Sequence, residues 1–191
     1  MTTLEKLVRR NRSYRRFDEA HRVSKETLRE LVSLARLTAS AANRQPLKYL
    51  LSADPETNDK IFPCLAWAAY LKGWPGPAAG ERPAAYIVLL VDETIATDWW
   101  CDDGIAAQTI LLGATERGLG GCMIGAVQKD RLRQALAIPN HLRIRLVLAL
   151  GKPAETVVLE DLAPGGDIRY WRDEAGVHHV PKRRLDELIL P

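Results

Sequence analysis

The sequence predicts one domain that mixes α-helices with buried β-strands. Two nearly all-apolar, β-rich runs, AAYIVLLVD at 84–92 and IRLVLALG at 144–151, read as interior strands covered on both faces. Three other segments, starting near residues 2, 24 and 104, carry apolar residues at helical spacing. A chain of 191 residues that is 47% hydrophobic can bury one sizeable core, and no repeat or low-complexity segment divides it.

The elements follow in order. Thr2 and Glu5 are spaced as a capping box, and Leu4, Leu7 and Val8 share one face of a short first helix. Ser24 is placed to cap a second helix, with Val23 and Leu28 as its hydrophobic staple and Leu31, Val32 and Ala35 behind it. The polar run ASAANRQP should stop that helix near Thr38. LKYLLS, residues 47–52, reads as a strand. Asp54 and Pro55 form an N-cap and N1 pair for a third helix expected to reach about Leu71, with Pro63 in a kink or at a break. GWPGPAAGERP, residues 73–83, is a loop suited to a lid or a subunit contact. Residues 104–117 are apolar around most of the helical circumference, which marks a central buried helix, and Gly118 is positioned as its left-handed stop. A short amphipathic helix over 129–137 precedes the second interior strand. The tail DIRYWRDEAGVHHVPKRRLDELILP is too patterned for a disordered end.

Lys and Arg outnumber Asp and Glu by only 27 to 24, a balance too even for the broad positive field of a dedicated nucleic-acid binder. The excess gathers at the two ends. RRNRSYRRF, residues 9–17, places five arginines in eight positions, and Lys182, Arg183 and Arg184 stand near the other terminus. Cys64, Cys101 and Cys122 form no C-x-x-C pair, so neither a disulfide framework nor a zinc cluster is implied. The start MTTLEKLVRR lacks the apolar core of a signal peptide, and no uncharged run approaches the ~18 residues of a membrane span. The expectation is a soluble, cytoplasmic protein with no membrane or nucleic-acid partner.

Three readings of the arginine cluster stay open: a solvated helix end, a nucleic-acid patch, or a phosphate grip in which Arg12, Ser13 and Arg15 set a hydroxyl between two guanidinium forks. SAANRQP, residues 40–46, is either an ordinary polar turn or a binding loop whose carboxamides read a heterocycle edged with carbonyls and ring nitrogens. GLGG, residues 118–121, fails as a dinucleotide fingerprint, because it closes a helix instead of opening one and Met123 stands where the third glycine belongs. There is no G-x-S-x-G elbow and no Walker loop. His178 and His179 are adjacent, so on a strand they would face opposite sides and make a poor shared metal site; no metal is expected.

Taken together, RRNRSYRRF, SAANRQP, GIAAQTILLGATERGLGGCMIGA and LALGKPAE occur in the order and spacing of the nitroreductase family of FMN-dependent oxidoreductases, and the tail resembles the C-terminal block of a short-chain branch of it. The resemblance implies an α+β, nitroreductase-like fold over residues 1–191, with a mixed central β-sheet flanked by helices and residues 165–191 as an extension packing on the partner of an intertwined homodimer. It implies that Arg12, Ser13 and Arg15 contact the FMN phosphate and ribityl chain, that Lys182 and Arg183 complete the phosphate grip, and that Ser40, Ala41, Asn43 and Gln45 form a loop reaching the flavin, often from the partner. Gly120 and Gly121 would lie in the glycine segment near the cofactor. The chain departs from the family pattern at Ala39, usually proline, at Met123, commonly aromatic, and at Asn11, frequently arginine. The implied activity is ping-pong transfer of hydride from NADH or NADPH through the flavin to a nitroaromatic, quinone or related small electrophile, with no catalytic side chain required because the cofactor carries the chemistry. Other flavin reactions on the same fold (dehalogenation, enone reduction, flavin breakdown) and a non-catalytic flavin-binding protein are the alternatives.

Overall fold

The computed structural model describes residues 1–190. Its elements are α1 (Thr3–Arg10), β1 (Phe17–Asp18), α2 (Lys25–Ala35), β2 (Leu47–Ser52), α3 (Pro55–Ile61), β3 (Ala85–Asp92), α4 (Asp102–Glu116), β4 (Gly120–Ile124), α5 (Lys129–Ala135), β5 (Leu142–Pro153), β6 (Val157–Asp161), β7 (Trp171–Arg172) and β8 (His178–Lys182). The caps read from the sequence are present: Thr2, Ser24 and Asp54 accept from the N–H groups of Glu5, Thr27 and Thr57.

The twelve-residue strand β5 is the spine of the central sheet. It pairs with β3 along residues 142–150, with β4 along 147–151 and with β1 at Lys152 and Pro153, and β2 lies on the far side of β3. All of these ladders are antiparallel. Parallel pairing enters at the β4 edge, where Ser13 bridges Gly121, and in a second small sheet in which β8 runs parallel to β6 and antiparallel to β7. The fold is α+β.

The strand period of two explains the layering. Ala85, Ile87 and Leu89 of β3 enter a core shared with Leu28 and Leu31 of α2 and Ala107, Ile110 and Ala114 of α4. Tyr86, Val88 and Leu90 enter a second core on the opposite face with Ile61, Trp67 and Leu132. Covered on both sides, β3 has no polar face, which is why its sequence is a continuous apolar run.

Several elements depart from the sequence reading. Helix α2 ends at Ala35 and not near Thr38. Helix α3 stops at Ile61, followed by a 3₁₀ turn over Phe62–Cys64, and does not reach Leu71. Pro63 has no N–H to continue the ladder, and the chain beyond turns extended, with Leu65 bridging Val127 and Ala66 N–H donating to the Ala126 carbonyl at 2.9 Å. Strand β4 was not foreseen, because glycines are poor strand formers by propensity. Here close packing demands them: a Cβ on Gly121 would stand 2.3 Å from the Ala149 carbonyl oxygen, and one on Gly120 would stand 2.5 Å from the Tyr14 ring. A register shift between Leu89 and Leu90 leaves Arg145 of β5 as the extra residue of a bulge. Its guanidinium is thereby carried to Asp103, 2.8 Å away at the start of α4.

Two glycine substitutions should therefore differ in sign. Gly121→Ala must push against backbone and is expected to cost about 1–3 kcal/mol, whereas Gly104→Ala, in open space on α4, should gain about 0.5–1 kcal/mol; chemical denaturation of both variants checks this.

Candidate functional site

The arginine-rich segment is a turn clamped at four points. Helix α1 ends at Asn11, which is buried. Ser13 bridges Gly121, and the Tyr14 N–H donates to the Gly121 carbonyl at 3.1 Å. The Glu155 carboxylate, only 1% exposed, accepts from the backbone N–H of Arg15, from that of Arg16 at 3.1 Å and from Arg172 Nη2 at 2.9 Å. Phe17, fully buried, closes the segment against Gly151. With its backbone so fixed, the turn presents its guanidinium groups in defined places.

Arg12 Nη2 donates to the Val8 carbonyl at 2.6 Å, while its buried Nε has no partner among the described residues. Burial lowers the Arg12 pKa from its ordinary value. Arg15 Nη1 stands 3.3 Å from both the Ser13 carbonyl and His178 Nε2, and the guanidinium lies 4.8 Å from the centre of the Tyr170 ring.

These groups form one wall of a cavity of about 510 Å³, within the range of small-molecule and cofactor sites. The tail adds Tyr170, His178, Val180 and Lys182 to the lining, and Gln108 of α4 and Met123 of β4 complete it. The basic ends of the chain therefore meet. Of the C-terminal pair, Lys182 lines this cavity, whereas Arg183 is exposed and lies 3.7 Å from Glu187. Gly120 and Gly121 sit behind Ser13, their Cβ positions blocked by protein atoms.

The two histidines face opposite sides of β8, as their spacing requires. His178, 1% exposed, is held neutral: burial, then the charges of Arg15 and Arg172, push its pKa down to about 4. His179 stacks on Trp171 with centroids 4.0 Å apart and lies 3.2 Å from Asp173 and 2.5 Å from Glu160. The hydrogen bond to Asp173, with the Glu160 contact second, raises its pKa. Among the described residues no group of three or more His, Cys, Asp or Glu is placed to hold a metal ion, and no helix is long and apolar enough to cross a membrane.

The 40–46 loop lies elsewhere in the chain. Ser40 and Gln45 line a separate cavity of about 470 Å³ with Arg36, Tyr49 and Asp102. Buried Asp102, the first residue of α4, accepts from the Ser40 hydroxyl at 2.6 Å and the Ala41 N–H at 2.9 Å, and Ser40 Oγ accepts from the Gln45 N–H at 2.9 Å. These bonds support three non-glycine residues in left-handed conformations: Ala42 at φ 50°, Asn43 at φ 54° and Gln45 at φ 53°. Strain of this kind persists only where surroundings over-determine it, and it concentrates at functional sites. Asn43 and Gln45 lock together through a 3.0 Å bond and remain exposed.

Sequence reasoning did not place Glu155, Tyr170, Gln108, Asp102 or His178 at either cavity. A carboxylate directly after a buried strand, in a chain with an unpaired arginine cluster, was the available signal for Glu155. His178 carried none, since its place depends on β8 lying beside the arginine turn.

With this geometry in place, comparison with known proteins is decisive for kinship. The model of the nitroreductase family matches residues 8–152. The chain belongs to the nitroreductase family. A relative in Methanothermobacter thermautotrophicus, provisionally named NADH dehydrogenase/NAD(P)H nitroreductase, is 30% identical over 161 residues, covering 81% of this chain and 80% of its own. The nitroreductase family protein of Streptococcus pneumoniae TIGR4 superposes with a TM-score of 0.70 at 17% identity, over 99% of this chain and 100% of that one. The FMN-dependent nitroreductase of Clostridium difficile R20291 superposes with a TM-score of 0.63 at 22% identity, over 78% and 87%. The nitroreductase match ends before Glu155, so the tail wall of the cavity lies outside it.

Two outcomes follow from the site. Asp102→Ala strips two donors of their buried acceptor and should cost about 2–3 kcal/mol, with faster hydrogen exchange at the Ala41 amide. For His178, folded pKa about 4 against 6.5 unfolded, the unfolded chain binds the extra proton between those values. Its contribution is thus present above pH 6.5 and lost as pH falls toward 4. At full burial that would be about 3 kcal/mol, reduced to roughly 2 kcal/mol by solvent screening at the cavity. The difference in unfolding free energy between the unaltered chain and His178→Gln across pH 4–7 measures it.

Proposed function

We propose that this chain is an FMN-dependent oxidoreductase that takes hydride from NADH or NADPH and passes it to nitroaromatic, quinone or related electrophilic acceptors, working as a homodimer. The observation that carries the reading is the convergence of Arg12, Ser13 and Arg15 with Lys182, from opposite ends of a nitroreductase-family chain, on one cavity. The donors fit a phosphate monoester. Arg12 Nε is a buried donor without a partner among the described residues, and the buried carboxylate of Glu155, which holds the backbone of the same turn, is already engaged by two backbone N–H groups and Arg172. Charge-assisted bonds to planar guanidinium forks suit that ligand better than they suit a neutral one. The names of the Methanothermobacter and Clostridium difficile proteins support the nicotinamide donor and the flavin respectively.

In this reading Arg12 and Arg15 hold the phosphate, the Ser13 hydroxyl adds a donor and Lys182 adds a cation from the tail. FMN bound there supplies two-electron transfer between a nicotinamide and an acceptor, chemistry that no side chain of the chain performs. Neutral His178 accepts a hydrogen bond without adding a further positive charge. Gln108 and Met123 line the same cavity, one offering amide donors and acceptors and the other an apolar, polarisable surface. Gly120 and Gly121 hold the β4 backbone tight behind Ser13.

The loop carrying Ser40, Ala41, Asn43 and Gln45 faces a different cavity of its own chain, so in this proposal a second copy brings it to the flavin. Exposed Leu4 and Val8 on α1 and exposed Leu185, Leu188 and Ile189 of the tail are apolar surface that such a partner would cover.

The test is the absorbance spectrum of the purified protein, followed by extraction of the bound group and an assay of acceptor-dependent NAD(P)H oxidation. Flavin absorbance with turnover is expected; a colourless protein that neither binds added FMN nor oxidises NAD(P)H would refute the proposal. Replacing both Arg12 and Arg15 by Ala should weaken FMN binding about 10²- to 10⁴-fold, two charge-assisted bonds' worth, with little change in thermal midpoint. Equal loss of both would make the arginines structural.

A further inference from the structure

The side chain of Arg15 is steered by the tail. Its backbone N–H is fixed by Glu155, but the guanidinium touches His178 Nε2 at 3.3 Å and the face of Tyr170 at 4.8 Å. An arginine nitrogen only donates, so His178 Nε2 is the acceptor and the imidazole proton resides on Nδ1. That Nδ1 is buried and has no partner among the described residues, an arrangement that hydrogen-bond satisfaction within the fold does not explain.

Among the described residues, both hydrogen bonds of the Arg15 side chain leave from Nη1. Its Nε–Nη2 edge, the one that pairs side-on with an oxyanion, has no acceptor among the described residues. The residue is in turn held on β8: the His178 backbone N–H donates to the Thr156 carbonyl at 2.9 Å, and the Tyr170 and His178 ring centres are 5.2 Å apart. Tyr70, 4.9 Å from Tyr170, backs that ring. Apart from the Ser13 carbonyl and Tyr70, the support of the guanidinium is thus built from residues after 152, beyond the family match.

We infer that His178 is a positioning residue for the flavin phosphate: by holding Nη1 of Arg15 while Tyr170 covers the guanidinium face, it presents the Nε–Nη2 edge of Arg15 to the phosphate. The inference rests on the FMN reading above. It separates recognition of the phosphate from recognition of the ring system. A ligand lacking the phosphate should be indifferent to His178.

Asn and Gln variants test this with closely similar chemistry. A Gln amide reaches the position of imidazole Nε2, whereas an Asn amide matches Nδ1 and falls short of Arg15. Binding of FMN and of riboflavin to full-length protein is measured by flavin fluorescence, with thermal midpoints alongside. His178→Asn should weaken FMN binding about tenfold, the loss of one charge-assisted contact, and leave riboflavin binding within twofold. His178→Gln should restore FMN binding. In an Arg15→Ala background, His178→Asn should have no further effect on FMN. Normal FMN affinity in His178→Asn, or an equal fall for FMN and riboflavin, would overturn the assignment while the flavin reading stands. Failure of the unaltered chain to bind FMN would overturn both.

Discussion

Arg12, Arg15 and Arg16 crowd one turn directly after Arg9 and Arg10 of α1 and repel one another, and among the contacts that hold the turn one buried carboxylate joins it to the tail. Glu155 accepts from two successive backbone N–H groups of that turn and from Arg172 of the tail. A desolvated carboxylate is tolerable only when its lone pairs are filled by donors of this kind. Removing it would leave Arg172 without its partner and free the turn. One side chain thereby ties both ends of the chain to the rim of the central sheet, and the cavity exists because they are tied at the same place.

The sheet explains why the site lies at an edge. Both faces of β3 and β5 are filled by packed cores, so no side chain from the middle of the sheet is available to a ligand. Functional groups collect instead where β4 ends pairing and Ser13 takes over. The two glycines of β4 permit that close approach, and in doing so they resemble a nucleotide-binding loop in sequence without acting as one. Alternation along β8 has a similar effect on charge: His178 is buried beside Arg15 and Arg172 and stays neutral, while His179, one residue on, meets two carboxylates and is pushed the other way.

The strained loop at 40–46 shows local structure overruled by contacts from elsewhere in the chain. Three left-handed non-glycine residues persist because Asp102, sixty-odd positions away in sequence, captures the Ser40 hydroxyl and the Ala41 amide. Nothing in SAANRQP distinguishes this from an ordinary polar turn. Its distance from the arginine turn within one chain is the reason the proposed function includes a second copy.

Local and periodic features were legible in the sequence: the caps at Thr2, Ser24 and Asp54, the interior strands, the buried helix with its Gly118 stop, and the opposed faces of His178 and His179, because each depends only on neighbouring residues and a fixed period. The motifs RRNRSYRRF and GLGGCMIGA pointed to the nitroreductase family for the same reason, being contiguous. What only the tertiary structure decided was everything that joins distant segments. It made a strand that begins with two glycines, bulged β5 to bring Arg145 to Asp103, directed Lys182 but not Arg183 into the cavity, and set Glu155 and His178 beside Arg15. Such contacts are governed by long-range packing and by which buried donor finds which acceptor, and neither leaves a periodic trace in the chain.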